Sequence, residues 1–194
     1  GLASISVPIM ALLSKNHHIL VSDALYTPTR NFINNQLLKF NIQVTYFNPT
    51  ISIEKLKKLI KKNTKLIYLE SPGTATFEIQ NIPEISKLAK KNNIVTIVDN
   101  TWASFYYCNP FNLGADIVIE AATKYINGHA DVLLGIIASK KKYSKLIRNT
   151  AKSYGICCGS DELYLSLRGL RTLPVRIEKS QNNALEMARY LEKN

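Results

Sequence analysis

The chain has 194 residues, 46% hydrophobic and 9% aromatic, which suits one buried core and excludes a disordered chain. No apolar stretch reaches membrane-spanning length and no charged-then-apolar signal pattern opens the sequence, so no membrane partner is expected and the location expected is cytoplasmic. The net charge of +11 invites a nucleic-acid partner, but Lys55, Lys57, Lys58, Lys61, Lys87, Lys90 and Lys91 interleave with Leu, Ile and Ala at helical spacing, so they read as solvated faces and no nucleic-acid function is expected.

In chain order, Leu2–Ser14 reads as an apolar helix in which Pro8 either kinks the rod or marks its first turns. Gly1 in front of it looks like a cut end. Ile19–Ser22 reads as a strand, followed by a loop carrying Tyr26. Asn31–Phe40 reads as helix and Gln43–Phe47 as strand. Ser52 caps a helix over Ile53–Lys61, with apolar residues at Ile53, Leu56, Leu59 and Ile60. Leu66–Glu70 is a buried strand stopped by Ser71-Pro72-Gly73. A helix from Pro83 to Lys91 leads into the β-branched run Ile94–Val98, which ends at Asp99.

Ile117–Ile119 reads as another buried strand, and small residues Ala121 and Ala122 separate it from Thr123 and Lys124. Leu133–Ser139 reads as strand, Lys141–Tyr154 and Asp161–Arg171 as helices, and a long amphipathic helix follows Pro174 and runs to Leu191. The alternation of strand and helix implies a mostly parallel sheet with right-handed crossovers. Cys108, Cys157 and Cys158 have no metal-ligand spacing, and an odd count without a secretion signal fits a reducing compartment. Cys157 and Cys158 read as buried small residues. His17 and His18 look structural, and His129 is expected to bond to backbone.

Asp99 and Lys124 carry the chemistry. An acid at the carboxyl end of a buried strand lies at the edge where α/β sheets bind ligands. A lysine just past a buried strand is costly to desolvate, and burial makes an amine nucleophilic toward carbonyls. If the two strands are parallel neighbours, ~4.8 Å apart, both groups reach one small aromatic molecule. A carboxylate on a pyridinium nitrogen with a lysine on the aldehyde carbon is how pyridoxal 5'-phosphate (PLP) is held.

Val98-Asp99-Asn100-Thr101-Trp102-Ala103 and the run from Ala122 to His129 resemble the Cys/Met metabolism family of PLP-dependent enzymes. Glu70 to Gly73, Tyr26-x-Pro28-Thr29 and Leu167 to Thr172 fit the same family in the same order, and Trp102 with Ser71–Gly73 resembles its bacterial β-lyase branch. The resemblance implies the large domain of a fold type I, aspartate aminotransferase-like PLP enzyme over residues 1–173, without its N-terminal segment. It further implies a linker helix over 174–194 toward an absent C-terminal domain.

It also implies roles. Lys124 would hold PLP and move the substrate Cα proton, with Asp99 on the ring nitrogen and Tyr26 stacked on the ring as a second catalytic residue that helps move protons. Gly1, Leu2 and Thr123 would receive the phosphate; Ala121 stands where many relatives have serine. The substrate implied is a small sulfur amino acid, L-cystathionine, cleaved to homocysteine, pyruvate and ammonia in methionine biosynthesis by a homodimer or homotetramer. A γ-lyase or γ-synthase activity and a non-catalytic fragment are the alternatives.

Overall fold

A computed structural model describes residues 1–193. Its centre is a six-stranded sheet built from β1 (His18–Ser22), β2 (Gln43–Phe47), β3 (Thr64–Glu70), β4 (Val95–Asp99), β5 (Ile117–Glu120) and β6 (Ile136–Ser139), in the order β2-β1-β3-β4-β5-β6. Every pairing is parallel except β5 with β6. The middle strands are buried on both faces, as a sheet covered by helices requires.

Alternation along each strand assigns its side chains to two cores. Ile19, Val21, Leu66, Tyr68, Ile97, Ile117 and Ile119 face Ile5, Val7 and Ile9 of α1 (Ala3–Leu12), Ile33 of α2 (Thr27–Gln36) and Ile147 of α6 (Lys141–Ser153). Leu20, Ile67, Leu69, Val98 and Val118 face Leu56 of α3 (Ile53–Leu59) and Ile82, Ile85, Leu88 and Ala89 of α4 (Ile82–Lys91). The side chains of Ser52 and Asn81 cap α3 and α4 by accepting the amides of Lys55 and Glu84. From β1 the chain steps outward to β2 and then back across to β3. The direction of winding therefore reverses between β1 and β3, which opens a crevice at their carboxyl ends.

Several elements depart from the sequence expectations. The second helix begins earlier, at Thr27, because Pro28 suits a first turn, and it passes into a 3-10 turn at Leu37–Phe40. A short helix, α5 (Ser104–Tyr107), follows β4. Pro8 lies inside α1 without ending it. The two expected C-terminal helices are one, α7 (Ser160–Lys193), running through Pro174. Proline deprives the Leu170 carbonyl of its usual donor. Nearby, Arg176 Nη2 and the Thr172 hydroxyl both donate to the Gly169 carbonyl, at 2.7 and 3.1 Å, and buried Leu173 and Ile177 hold either side of the proline. Asn194, the last residue of the expected linker, lies outside the described residues. Cys157 and Cys158 are exposed rather than buried, because they fall in the connection between α6 and α7, away from both cores.

His18 is fully buried at the start of β1, with Nδ1 2.7 Å from the Thr64 hydroxyl and Nε2 2.9 Å from that of Thr45. Burial, helped by the charge of Lys61, lowers its pKa from 6.5 to about 4. Between those values the unfolded chain binds more protons than the fold, so acidification through this window costs stability. His18→Asn is therefore expected to be less stable than wild type near pH 7, and denaturant titrations should show that gap narrowing by about pH 4.5.

Candidate active site

The parallel strands end along one edge, and most of them bring a polar group to it. Tyr26 follows β1, Glu70 ends β3, Asp99 ends β4, and Glu120 ends β5 four residues before Lys124. Parallel pairing of β4 with β5, with Asp99 opposite Ile119, places the acid and the lysine on the same edge. The start of α1 reaches the same edge, because Gly1 and Ser4 close on Gly135, and its neighbour Leu134 is bonded to Thr123 beside Lys124. The start of α1, the acid and the lysine thus share one space.

Asp99 is 6% exposed. Its Oδ1 accepts the Thr101 amide at 3.0 Å and the Thr101 hydroxyl at 2.6 Å, and its Oδ2 accepts the Tyr68 hydroxyl at 3.3 Å. Burial raises its pKa above the ordinary aspartate value, while Thr101 and Tyr68 pull it back. Among the described residues no lysine or arginine forms an ion pair with it. A desolvated carboxylate without a cationic side chain is expensive, and a protonated pyridine nitrogen is the kind of partner that would complete it.

The same Thr101 hydroxyl accepts the Ala121 amide at 2.8 Å, joining the end of β4 to the approach to Lys124. Lys124 itself sits in a hydrogen-bonded turn, where its amide donates to the Ala121 carbonyl and its carbonyl accepts the Gly128 amide. Contrary to the expectation of a buried amine, Lys124 is exposed, because this turn rises off the sheet edge and opens onto the crevice. Its side chain is therefore open to whatever enters the crevice.

Gly1 and Leu2 are exposed ahead of α1, whose first turn directs backbone amides toward the same space. A Cβ on Gly135 would lie 2.6 Å from the Gly1 nitrogen and 2.4 Å from the Ser4 hydroxyl, so only glycine lets this helix start close down on the segment before β6. Thr123 reaches that segment too: its hydroxyl accepts the Leu134 amide at 3.0 Å and donates to the Leu134 carbonyl at 3.1 Å. It therefore pins the loop, and can donate to a phosphate only by exchanging that second bond. Tyr26 is 44% exposed, with a ring free to stack, and its amide donates to Glu70 Oε2 at 2.8 Å. His129 Nδ1 lies 2.6 Å from the Asn127 carbonyl, as expected of a histidine that fixes a loop.

The sequence reading missed the row of carboxylates. Glu70, Asp99 and Glu120 end adjacent strands and are all buried. Burial and then the Asp99 charge push Glu70 up to about 7, against the Thr74 and Tyr26 hydrogen bonds. Burial also pushes Glu120 up to about 7, opposed by the Asn100 amide, which donates to its Oε1 at 3.0 Å. Strand-terminal acids at Glu70 and Glu120 were visible in the sequence as the counterparts of Asp99.

A family profile described as Cys/Met metabolism PLP-dependent enzyme matches residues 1–194. A Saccharomyces cerevisiae protein named putative cystathionine beta-lyase is 40% identical over 191 residues, 98% of this chain and 56% of its own. A Wolbachia pipientis protein named L-alanine/L-glutamate racemase is 40% identical over 194 residues, 100% of this chain and 47% of its own. The crystal structure of cystathionine gamma-lyase from Lactobacillus plantarum complexed with L-serine superposes with a TM-score of 0.95 at 33% identity, over 99% of this chain and 50% of that one. The chain spans about half the length of the curated relatives it matches.

Glu120 supplies a test of the charge distribution. An acid whose folded pKa is raised above 4.5 to about 7 favours the fold while protonated, and that contribution is lost as the pH rises through 7. Glu120→Gln keeps the acceptor for Asn100 and removes the charge. Thermal melts should show it more stable than wild type at pH 8, by on the order of 2 kcal/mol, with little difference near pH 5.

Proposed function

The chain belongs to the Cys/Met metabolism PLP-dependent enzyme family, and on that premise we propose that it carries the cofactor-binding core of a carbon–sulfur lyase acting on L-cystathionine. Hydrolytic cleavage of that substrate yields homocysteine, pyruvate and ammonia. The observation that carries the reading is the convergence of Asp99, Lys124 and the start of α1 on one edge of the sheet.

When bound, PLP supplies an electron sink for the charge left at the substrate Cα. Asp99 would hold the ring nitrogen and keep its proton in place, as a buried carboxylate held by Thr101 and Tyr68 is suited to do. Lys124 would hold the cofactor through its amine and, when freed, would move the substrate Cα proton. Tyr26 lays its exposed ring against the cofactor face. The Gly1 nitrogen and the Leu2 amide, with the hydroxyl of Thr123, would receive the phosphate. The exchange that Thr123 must make at Leu134, and Ala121 in place of a serine, leave the helix start as the main phosphate anchor.

The enzyme works in the cytoplasm as a homodimer or homotetramer. Support for an assembly comes from the outer side of α7, where Leu163, Tyr164, Leu167 and Val175 are exposed. No helix among the described residues is long and apolar enough to cross a membrane. A γ-elimination reading is favoured by the structural match to the L. plantarum enzyme. Product analysis separates the two, since β-cleavage releases pyruvate and γ-cleavage 2-oxobutyrate. The racemase among the relatives warrants a third assay, loss of optical rotation from L-alanine or L-glutamate.

Mixing the protein with PLP is expected to give the yellow absorbance of cofactor bound through a lysine amine, and Lys124→Ala to abolish it. A wild-type protein that stays colourless overturns the reading. Asp99→Ala should keep the colour yet lower turnover about a hundredfold or more, as loss of a preorganised charge partner does.

A further inference from the structure

Arg176 lies on α7, far along the chain from Lys124, yet it holds the turn that carries the lysine. Within that turn the Asn127 amide donates to the Ala122 carbonyl and the Gly128 amide to the Lys124 carbonyl, both at 2.8 Å. These bonds leave the next carbonyls, those of Tyr125 and Ile126, pointing outward. Arg176 takes both: Nη1 donates to Tyr125 at 2.8 Å and Nη2 to Ile126 at 3.3 Å. The rest of its fork is anchored in its own helix, Nη2 to the Gly169 carbonyl at 2.7 Å and Nε to the Thr172 hydroxyl at 3.0 Å. A planar group with fixed donor directions can satisfy this set, and a lysine ammonium cannot.

Two glycines make the approach possible. A Cβ on Gly128 would lie 1.9 Å from Arg176 Nη1, and one on Gly169 would lie 2.2 Å from the Asn127 carbonyl oxygen and 2.6 Å from that of Ile126. Helix and turn therefore meet backbone to backbone. Farther out, Asp131 accepts the Asn127 amide group at 2.7 Å and faces Arg168 at 3.6 Å, an exposed pair of small energetic weight.

We propose that Arg176 is a positioning residue for Lys124, fixing the lysine turn through the Tyr125 and Ile126 carbonyls. The proposal rests on the reading of Lys124 as the cofactor lysine, but its mechanical half can be measured without cofactor. Hydrogen exchange on the cofactor-free protein should show the Asn127 and Gly128 amides exchanging about tenfold faster or more in Arg176→Ala, with β1, β3 and β4 unchanged. Arg176→Lys should recover only part of that protection, and Arg168→Ala should leave it intact. Unchanged exchange in Arg176→Ala overturns the proposal, and so does a uniform increase over the whole sheet, which would mark a general stability role. With PLP added, Arg176→Ala should develop the yellow absorbance only at about tenfold higher cofactor, the scale of penalty for a misplaced reacting group. An equal cofactor requirement in wild type and variant overturns the link to Lys124 while leaving the clamp itself standing. A colourless wild type removes the cofactor reading instead, whatever the exchange data show.

Discussion

The Thr101 hydroxyl performs two tasks at once: it donates to the buried Asp99 carboxylate and accepts the amide of Ala121. One short side chain thereby fixes the spacing between the acid at the end of β4 and the segment climbing from β5 to Lys124. Without it, parallel pairing would still align the strands, but their tips would be free to splay. The bond also helps explain how a carboxylate survives at 6% exposure. A charge with several donors aimed at it keeps part of the solvation it gave up.

Around that link the edge is electrostatically uneven. Three acids end adjacent strands, and they share the problem that neighbouring charges in a desolvated place disfavour one another. Glu70 and Glu120 answer it by holding protons up to about 7. Asp99 accepts from the Thr101 amide and hydroxyl and from Tyr68, donors that favour its charged form against burial. The positive end of α1 closes on Gly135 beside the segment bonded to Thr123. The crevice is thus polarised, with an acidic floor at the strand ends and an anion-attracting rim at the helix start. That arrangement matches a ligand with a basic nitrogen at one end and a phosphate at the other.

Much of this was legible in the sequence. The apolar runs Leu66–Glu70, Ile94–Val98 and Ile117–Ile119 gave the strands because burial on both faces demands them, and Asp99 marked the edge, whereas Glu70 and Glu120 were not read as part of it. The exposure of Lys124 was not legible. Apolar neighbours in sequence suggested a buried amine, whereas the turn from Ala121 to Gly128 lifts it away from them. Nor was the continuity of α7, since Pro174 is a breaker by local rule and is overridden by buried neighbours and side-chain donors two residues to either side. The role of Arg176 depends on contacts across some fifty residues of chain, which spacing alone does not encode. Gly128 and Gly169 were the available hint, two glycines whose partner could be named only once the helix and the turn were seen together.

Past Ile177, α7 runs on through exposed residues to Lys193 without returning to either core. At 1.5 Å per residue this solvent-exposed portion is about 24 Å long, and Glu178 at its start accepts the Tyr106 hydroxyl. A stiff rod fastened near its middle is a lever, and its fastenings here are buried Leu173 and Ile177, the Tyr106 bond to Glu178, and the guanidinium that grips the backbone beside Lys124. If Arg176 positions the lysine turn as proposed, sideways force on the far end of the rod would reach that turn as torque.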